Sequence, residues 1–194
     1  MSENWSINEL MSAGWTEHDL AWEACCEQMA AALADGDHAA AANASANALR
    51  LAREHFVAGD PRLATSIANQ AMCVSGQKAD AGKQLLDEAI SAWKGTHMWI
   101  EKMQAPRVAR SSLFHMRMEQ KHRGAYEDNW RVKWRDIAET TRSRLAGLDP
   151  STPPQIEAAR EVLSRWKRER PAMLNDTRKL LAASYLLMPG LQAN

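Results

Sequence analysis

Apolar positions along this chain recur three and four residues apart and almost never alternate, which is the spacing of one face of an α-helix. β-branched residues are sparse, and Ala, Leu, Met, Glu, Lys and Arg dominate, so an all-α fold is predicted. Ser6 and Glu9 have capping-box spacing for a short N-terminal turn, with Trp5 and Trp15 packing as a lid. The first long helix opens at Thr16, a cap followed by Glu17 and Asp19, which suit the positive end of a helix dipole. It carries Leu20, Ala24, Met29 and Leu33 to a turn at Asp35-Gly36-Asp37. An alanine-rich helix over about 38–57 follows, and its small side chains predict that it is sandwiched between neighbours. Asp60 caps the next helix with Pro61 in first position, and Leu63, Ile67, Ala71 and Met72 share a face up to Ser75-Gly76.

Leu85, Leu86, Ala89, Ile90 and Trp93 mark a fourth helix, whose pattern extends past Gly95 through Met98 to Met103. Pro106 opens another, about 106–122, with Gly124 as its stop; a long helix from Tyr126 to Leu145 then places Trp130, Trp134, Ile137 and Leu145 at core spacing. Leu148 to Pro154 reads as a loop, Thr152 caps a helix running to about Trp166, and a last helix spans about 171–187. The expectation is eight helices in four antiparallel pairs: a single helical domain over 1–194, with repeat-like pairs over 16–146 and a C-terminal helical hairpin over 152–188.

At 194 residues the chain can bury a sizeable core without disulfides or metals. Its formal charge is zero, but residues 1–96 carry 6 Lys/Arg against 13 Asp/Glu, a net of −7, and residues 97–194 carry 18 against 11, a net of +7. Such polarity can steer a partner, a nucleic acid or a second copy of the chain. Three cysteines, two of them adjacent (Cys25, Cys26), make no disulfide framework and no Cys-x-x-Cys zinc pattern. The polar start Met1 to Trp5 lacks a secretory pattern, so a cytoplasmic location is expected. The longest apolar run, Leu180–Met188, is about half of the roughly 20 residues a membrane span needs.

One pattern is written twice at a 40-residue offset: Gly36-Asp37-His38 with Ala41, Ser45 and Leu49, then Gly76-Gln77-Lys78 with Ala81, Leu85 and Ala89. A period of that size points to stacked helix pairs. Gly36, Ala41 and Ala48, with Gly76, Ala81, Leu85 and Ala89, resemble the tetratricopeptide repeat, and Gly124-Ala-Tyr126 is similar to a third, degenerate turn. The segment Asp60 to Ala71 resembles the longer, kinesin-light-chain type of repeat. The resemblance covers about residues 18–95, and more weakly 105–146; the last 45 residues match no repeat. It implies antiparallel helix pairs stacked as a short solenoid with irregular C-terminal helices. It also implies a groove in which Asn69 hydrogen-bonds the backbone of a bound peptide.

His115, Glu119 and His122 share one helix face, and Glu119-x-x-His122 has the spacing of di-iron bundle ligands, but no second Glu-x-x-His is present. A groove-facing or solvated polar stripe is the expected reading, with no metal and no cofactor. Asp35-Gly-Asp-His38 lacks the carboxylates of a calcium loop and reads as a capped turn. Cys25 lies in acidic surroundings that oppose a reactive thiolate. Arg107, Arg110, Arg117, Lys121, Arg123, Arg131, Lys133 and Arg135 interleave with Trp130 and Trp134, a composition that single-stranded nucleic acid favours. Eight Trp and ten Met suit protein interfaces. Trp22, Met72, Arg110, Phe114 and Met118, with Asn69, are the residues expected to face a partner. The sequence thus points to a non-enzymatic adaptor, scaffold or assembly factor holding a segment of another protein, with self-association through the opposite charges of the halves as a further expectation. A nucleic-acid-binding regulator is the alternative, and a helical metal-binding protein comes after it.

Overall fold

A computed structural model of the chain describes Met11 and residues 15–75, 79–102 and 113–148, with the backbone alone at 75, 79, 113–121, 126 and 130. Helices α1 (Glu17–Ala34), α2 (His38–His55), α3 (Pro61–Ser75), α4 (Ala79–Gly95), α5 (His97–Lys102) and α6 (Leu113–Ala146) account for nearly all of these residues. No strand occurs among them, so the fold is all-α. The predicted N-terminal turn at Ser6 and the helical hairpin over 152–188 lie outside the described residues.

The helix boundaries follow local chemistry. Thr16 caps α1 in a capping box: its hydroxyl accepts from the Asp19 amide (3.2 Å), and the Asp19 carboxylate accepts from the Thr16 amide (2.8 Å). At the other end Gly36 adopts φ +76°, the left-handed conformation that ends a helix at least cost in glycine. The Gly36 amide donates to the Leu33 carbonyl (3.1 Å) and the Asp37 amide to that of Ala32 (2.8 Å), a Schellman closure. Asp37 then caps α2 by accepting from the Ala40 amide at 2.9 Å. Asp60 starts α3, accepting from the Arg62 amide at 2.9 Å.

Two boundaries differ from the sequence expectation. The fourth helix stops at Gly95, and Thr96 turns the chain: its hydroxyl donates to the Trp93 carbonyl (2.8 Å) while its own carbonyl accepts from Trp99 and Ile100 at 3.0 Å, starting α5 separately. Gly124 ends nothing. Helix α6 runs through it, so the helices expected over 106–122 and 126–145 are one, and the third repeat-like turn is absent. The side chains bracketing Gly124 favour continuity, since Arg123 Nε meets Glu127 Oε1 at 2.7 Å one turn on.

Each helix packs against the next: α1 on α2, α2 on α3, α3 on α4 and α4 on α6, with α5 against α4 and α6. The core comprises Trp22, Met29 and Leu33 of α1, Ala41, Ala48 and Ala52 of α2, Ala64, Ile67 and Ala71 of α3, Leu86, Ala89 and Trp93 of α4, Ile100, and Trp134, Ala138 and Leu145 of α6. Ile137, expected in the core, is 38% exposed; the α6 core stripe runs instead through Trp134, Ala138, Thr141 and Leu145. The alanine-rich α2 buries one face and leaves Asn43, Ala46, Asn47 and Arg50 exposed. It is α3 that is enclosed: from Pro61 to Met72 only Leu63 and Gln70 are less than fully buried.

Candidate functional site

Enclosing α3 brings polar groups inside. Arg62, Asp19 and Asp60 are each 3% exposed, and the Arg62 guanidinium joins them. Its Nη1 donates to Asp19 Oδ1, its Nη2 to Asp60 Oδ2 (2.7 Å) and its Nε to Asp60 Oδ1 (3.1 Å). The Phe56 ring lies 3.7 Å from the guanidinium carbon, and Trp22 meets Phe56 edge-on with centroids 6.1 Å apart. The Trp22 indole donates to Ser66 Oγ (2.8 Å), which donates in turn to the Arg62 carbonyl (2.8 Å). Burial acts to lower the Arg62 pKa, but hydrogen bonds and charge from Asp60, then Asp19, hold it above its ordinary value. A permanent cation therefore sits between two carboxylates, tying α1 to α3.

A second bridge lies on the other helices of the same two pairs. Arg53 Nη2 of α2 reaches both carboxylate oxygens of Glu88 on α4, at 2.7 and 2.8 Å, and both side chains are about half exposed. The first and second pairs are thus joined twice, by a buried cluster between their first helices and an exposed pair between their second helices.

The residues expected to face a partner fall into two groups. Trp22, Asn69 and Met72 are 0%, 2% and 2% exposed, so they are interior and no partner reaches them while the bundle is closed. The physical reason is the enclosure of α3: Trp22 is aimed at Ser66 on the α3 surface that Asn69, three residues on, continues. Phe114 and Met118 lie in the first turns of α6, where the description is of the backbone, and Arg110 lies outside the described residues. The sequence missed the Arg62 cluster. Its signal was present, since Arg62 is the sole Lys or Arg of α3 and sits among residues of helical core spacing.

At the other end of the stack, a cleft of about 230 Å³ opens between the end of α4, α5 and α6, lined by Trp93, Thr96, Ile100 and Ala138 with Lys94, His97, Arg135, Asp136 and Glu139. Arg135 Nε lies 3.0 Å from Glu101 Oε1, and the buried Trp93 indole nitrogen has no hydrogen-bond partner. The rim carries charges of both signs, so it selects for neither anions nor cations.

His122 is exposed, while the side chains of His115 and Glu119 lie outside the description. Among the described residues no group of three or more His, Cys, Asp or Glu is arranged to hold a metal ion. Burial pushes the thiols of Cys25, Cys26 and Cys73 above the ordinary range, that of Cys73 to about 11, so all three are protonated at neutral pH and poorly nucleophilic. Much of the positive charge of α6 is met by nearby carboxylates: Arg123 by Glu127, Arg131 by Asp128 (3.4 Å), Arg135 by Glu101 and Arg142 by Glu139. No described helix is long and apolar enough to cross a membrane.

Comparison of the chain with protein-family models, with curated proteins and with solved structures found no match.

Proposed function

We propose that the chain is a non-enzymatic adaptor, scaffold or assembly factor that holds a segment of another protein against a short, tetratricopeptide-like stack of helix pairs. The observation that carries this reading is the packing order, in which each long helix rests on its neighbours in sequence and the stack closes into no ring or barrel among the described residues. Proteins built this way present extended surfaces that suit partner segments. With Trp22, Asn69 and Met72 interior, the partner-facing roles rest on Arg110, Phe114 and Met118, at and just before the start of α6. The opposite net charges of the two halves, −7 and +7, support a second copy of the chain as one such partner.

The test is capture from a nuclease-treated lysate of the source cells by the full chain, side by side with a Phe114→Ala/Met118→Ala variant whose melting point matches. A protein retained at near one-to-one yield by the first and released by the second is expected. Equal capture by both chains, or none by either, overturns the assignment. Nucleic-acid binding through the basic half has less support, because Arg123, Arg131, Arg135 and Arg142 are engaged by carboxylates. It predicts an affinity that falls steeply with salt.

A further inference from the structure

The cleft of about 230 Å³ between the end of α4, α5 and α6 is apolar in one part and charged around it. Trp93, Ile100 and Ala138 form the apolar part, and all three belong to the hydrophobic core, at 5%, 0% and 8% exposed. Most of the charged side chains beside them are engaged. Arg135 Nε meets Glu101 Oε1 at 3.0 Å, His97 Nε2 lies 3.8 Å from the same oxygen, and Arg142 Nε donates to Glu139 Oε2 at 3.0 Å. Lys94 on α4 and Asp136 on α6 differ. Both are exposed, neither forms an ion pair with a described residue, and they do not pair with each other.

This distribution selects for one kind of occupant. A lone anion would gain Lys94 but face Asp136, and a lone cation would meet the reverse, so neither gains much. A molecule that carries both charges close together satisfies both walls at once. The α4 wall holds a second donor, because the buried indole N–H of Trp93, next to Lys94 in sequence, has no hydrogen-bond partner. A donor left unsatisfied in the interior favours an occupant that brings an acceptor to that side. The apolar part calls for a hydrocarbon or aromatic body. The volume is below the roughly 300–1,000 Å³ of sites for drug-sized ligands, so the occupant is of the size of a single amino acid.

We propose that this cleft is a binding site for a free α-amino acid with a large apolar side chain. The ligand's carboxylate lies toward Lys94 and the Trp93 N–H, its ammonium toward Asp136, and its side chain against Ile100 and Ala138. The walls come from three helices, so an occupied cleft links α6 to α4 and α5 through the ligand as well as through direct packing.

The test is titration of the full chain with L-phenylalanine, read by calorimetry and by nuclear magnetic resonance. Saturable one-to-one binding is expected, with the largest shifts at Ile100, Ala138 and their neighbours. Hydrocinnamate, which lacks the ammonium, and phenethylamine, which lacks the carboxylate, should each bind at least about 3–5-fold more weakly, the upper end of what one exposed ion pair contributes. Glycine, which lacks the side chain, should not bind. Lys94→Gln and Asp136→Asn change only exposed side chains, so both variants keep the fold. Each should weaken L-phenylalanine by about the same 3–5-fold. Asp136→Asn should not weaken hydrocinnamate, and Lys94→Gln should not weaken phenethylamine, a selectivity that a general disturbance of the cleft would not produce. Absence of saturable binding, shifts centred elsewhere, equal affinity for the three aromatic compounds, or variants that bind L-phenylalanine as the unaltered chain does would each overturn the proposal. A loss in either variant that is the same for every compound overturns it too.

Discussion

Arg62 is held on two sides by carboxylates and on a third by a ring, so removing its guanidinium leaves Asp19 and Asp60 as two buried anions with no cation between them. Uncompensated buried charge is costly, and Arg62→Ala is expected to lower the unfolding free energy by about 3–5 kcal/mol. Arg53→Ala, which breaks the bridge to the half-exposed Glu88, is expected to cost under about 1 kcal/mol, because water screens that pair and solvates whatever is left of it. Urea unfolding of the two variants measures the contrast, and equal losses would show that the buried cluster carries no special weight. At this scale the sequence was partly legible. Thr16 and Asp60 could be read as caps, and Asp19 as a carboxylate suited to the positive end of α1, from their neighbours alone. That the two aspartates converge on one guanidinium could not, because the Asp19–Arg62 pairing spans 43 residues and depends on how α1 and α3 come together.

The elements show what a glycine does and does not specify. Gly36 ends a helix because it takes a positive φ, closes two backbone hydrogen bonds behind it, and is followed at once by a capping aspartate. Gly124 has none of these. It stays in α6, exposed, and a Cβ built on it meets nothing within 4 Å. Gly124→Ala should therefore stabilise the chain by about 0.5–1 kcal/mol, the helix-interior difference between the two residues. Gly36→Ala should destabilise it by about 1 kcal/mol or more, because alanine pays for the left-handed conformation. Thermal unfolding of both variants checks the pair of signs, and a loss at Gly124 would mean that the helix is broken there after all. The same contrast explains why a helix end was legible at Gly36 and misread at Gly124: the spacing was similar, but of these two glycines only Gly36 has the capping chemistry.

For the molecule as a whole, hydrophobic periodicity was enough to predict an all-α chain and most helix boundaries, while the choice of innermost helix was not. Alanine content pointed to α2, yet α2 keeps a polar face with Asn43, Asn47 and Arg50 on it. The polar residues of α3, Thr65, Ser66 and Asn69, disguised a helix that is buried all round. Burial on every side predicts the order of local opening. Backbone amides in the middle of α3 should exchange with solvent most slowly, and those of the flanking α1 and α6 faster, as read by hydrogen exchange under native conditions. Protection in α6 equal to that in α3 would contradict the packing order described above.

The placement of Arg62 has a consequence for the order in which the chain is made. Asp19 leaves the ribosome as part of α1, and α2 follows, but Arg62, the cation that meets the Asp19 carboxylate in the finished fold, belongs to neither helix. That cation arrives 43 residues after Asp19, in the first turn of α3. The first helix pair, though continuous in sequence and closed by a well-formed turn, therefore completes its interior only when the second pair begins to emerge. The α1–α2 hairpin made alone is therefore expected to hold its shape less firmly than the three helices α1 to α3 together.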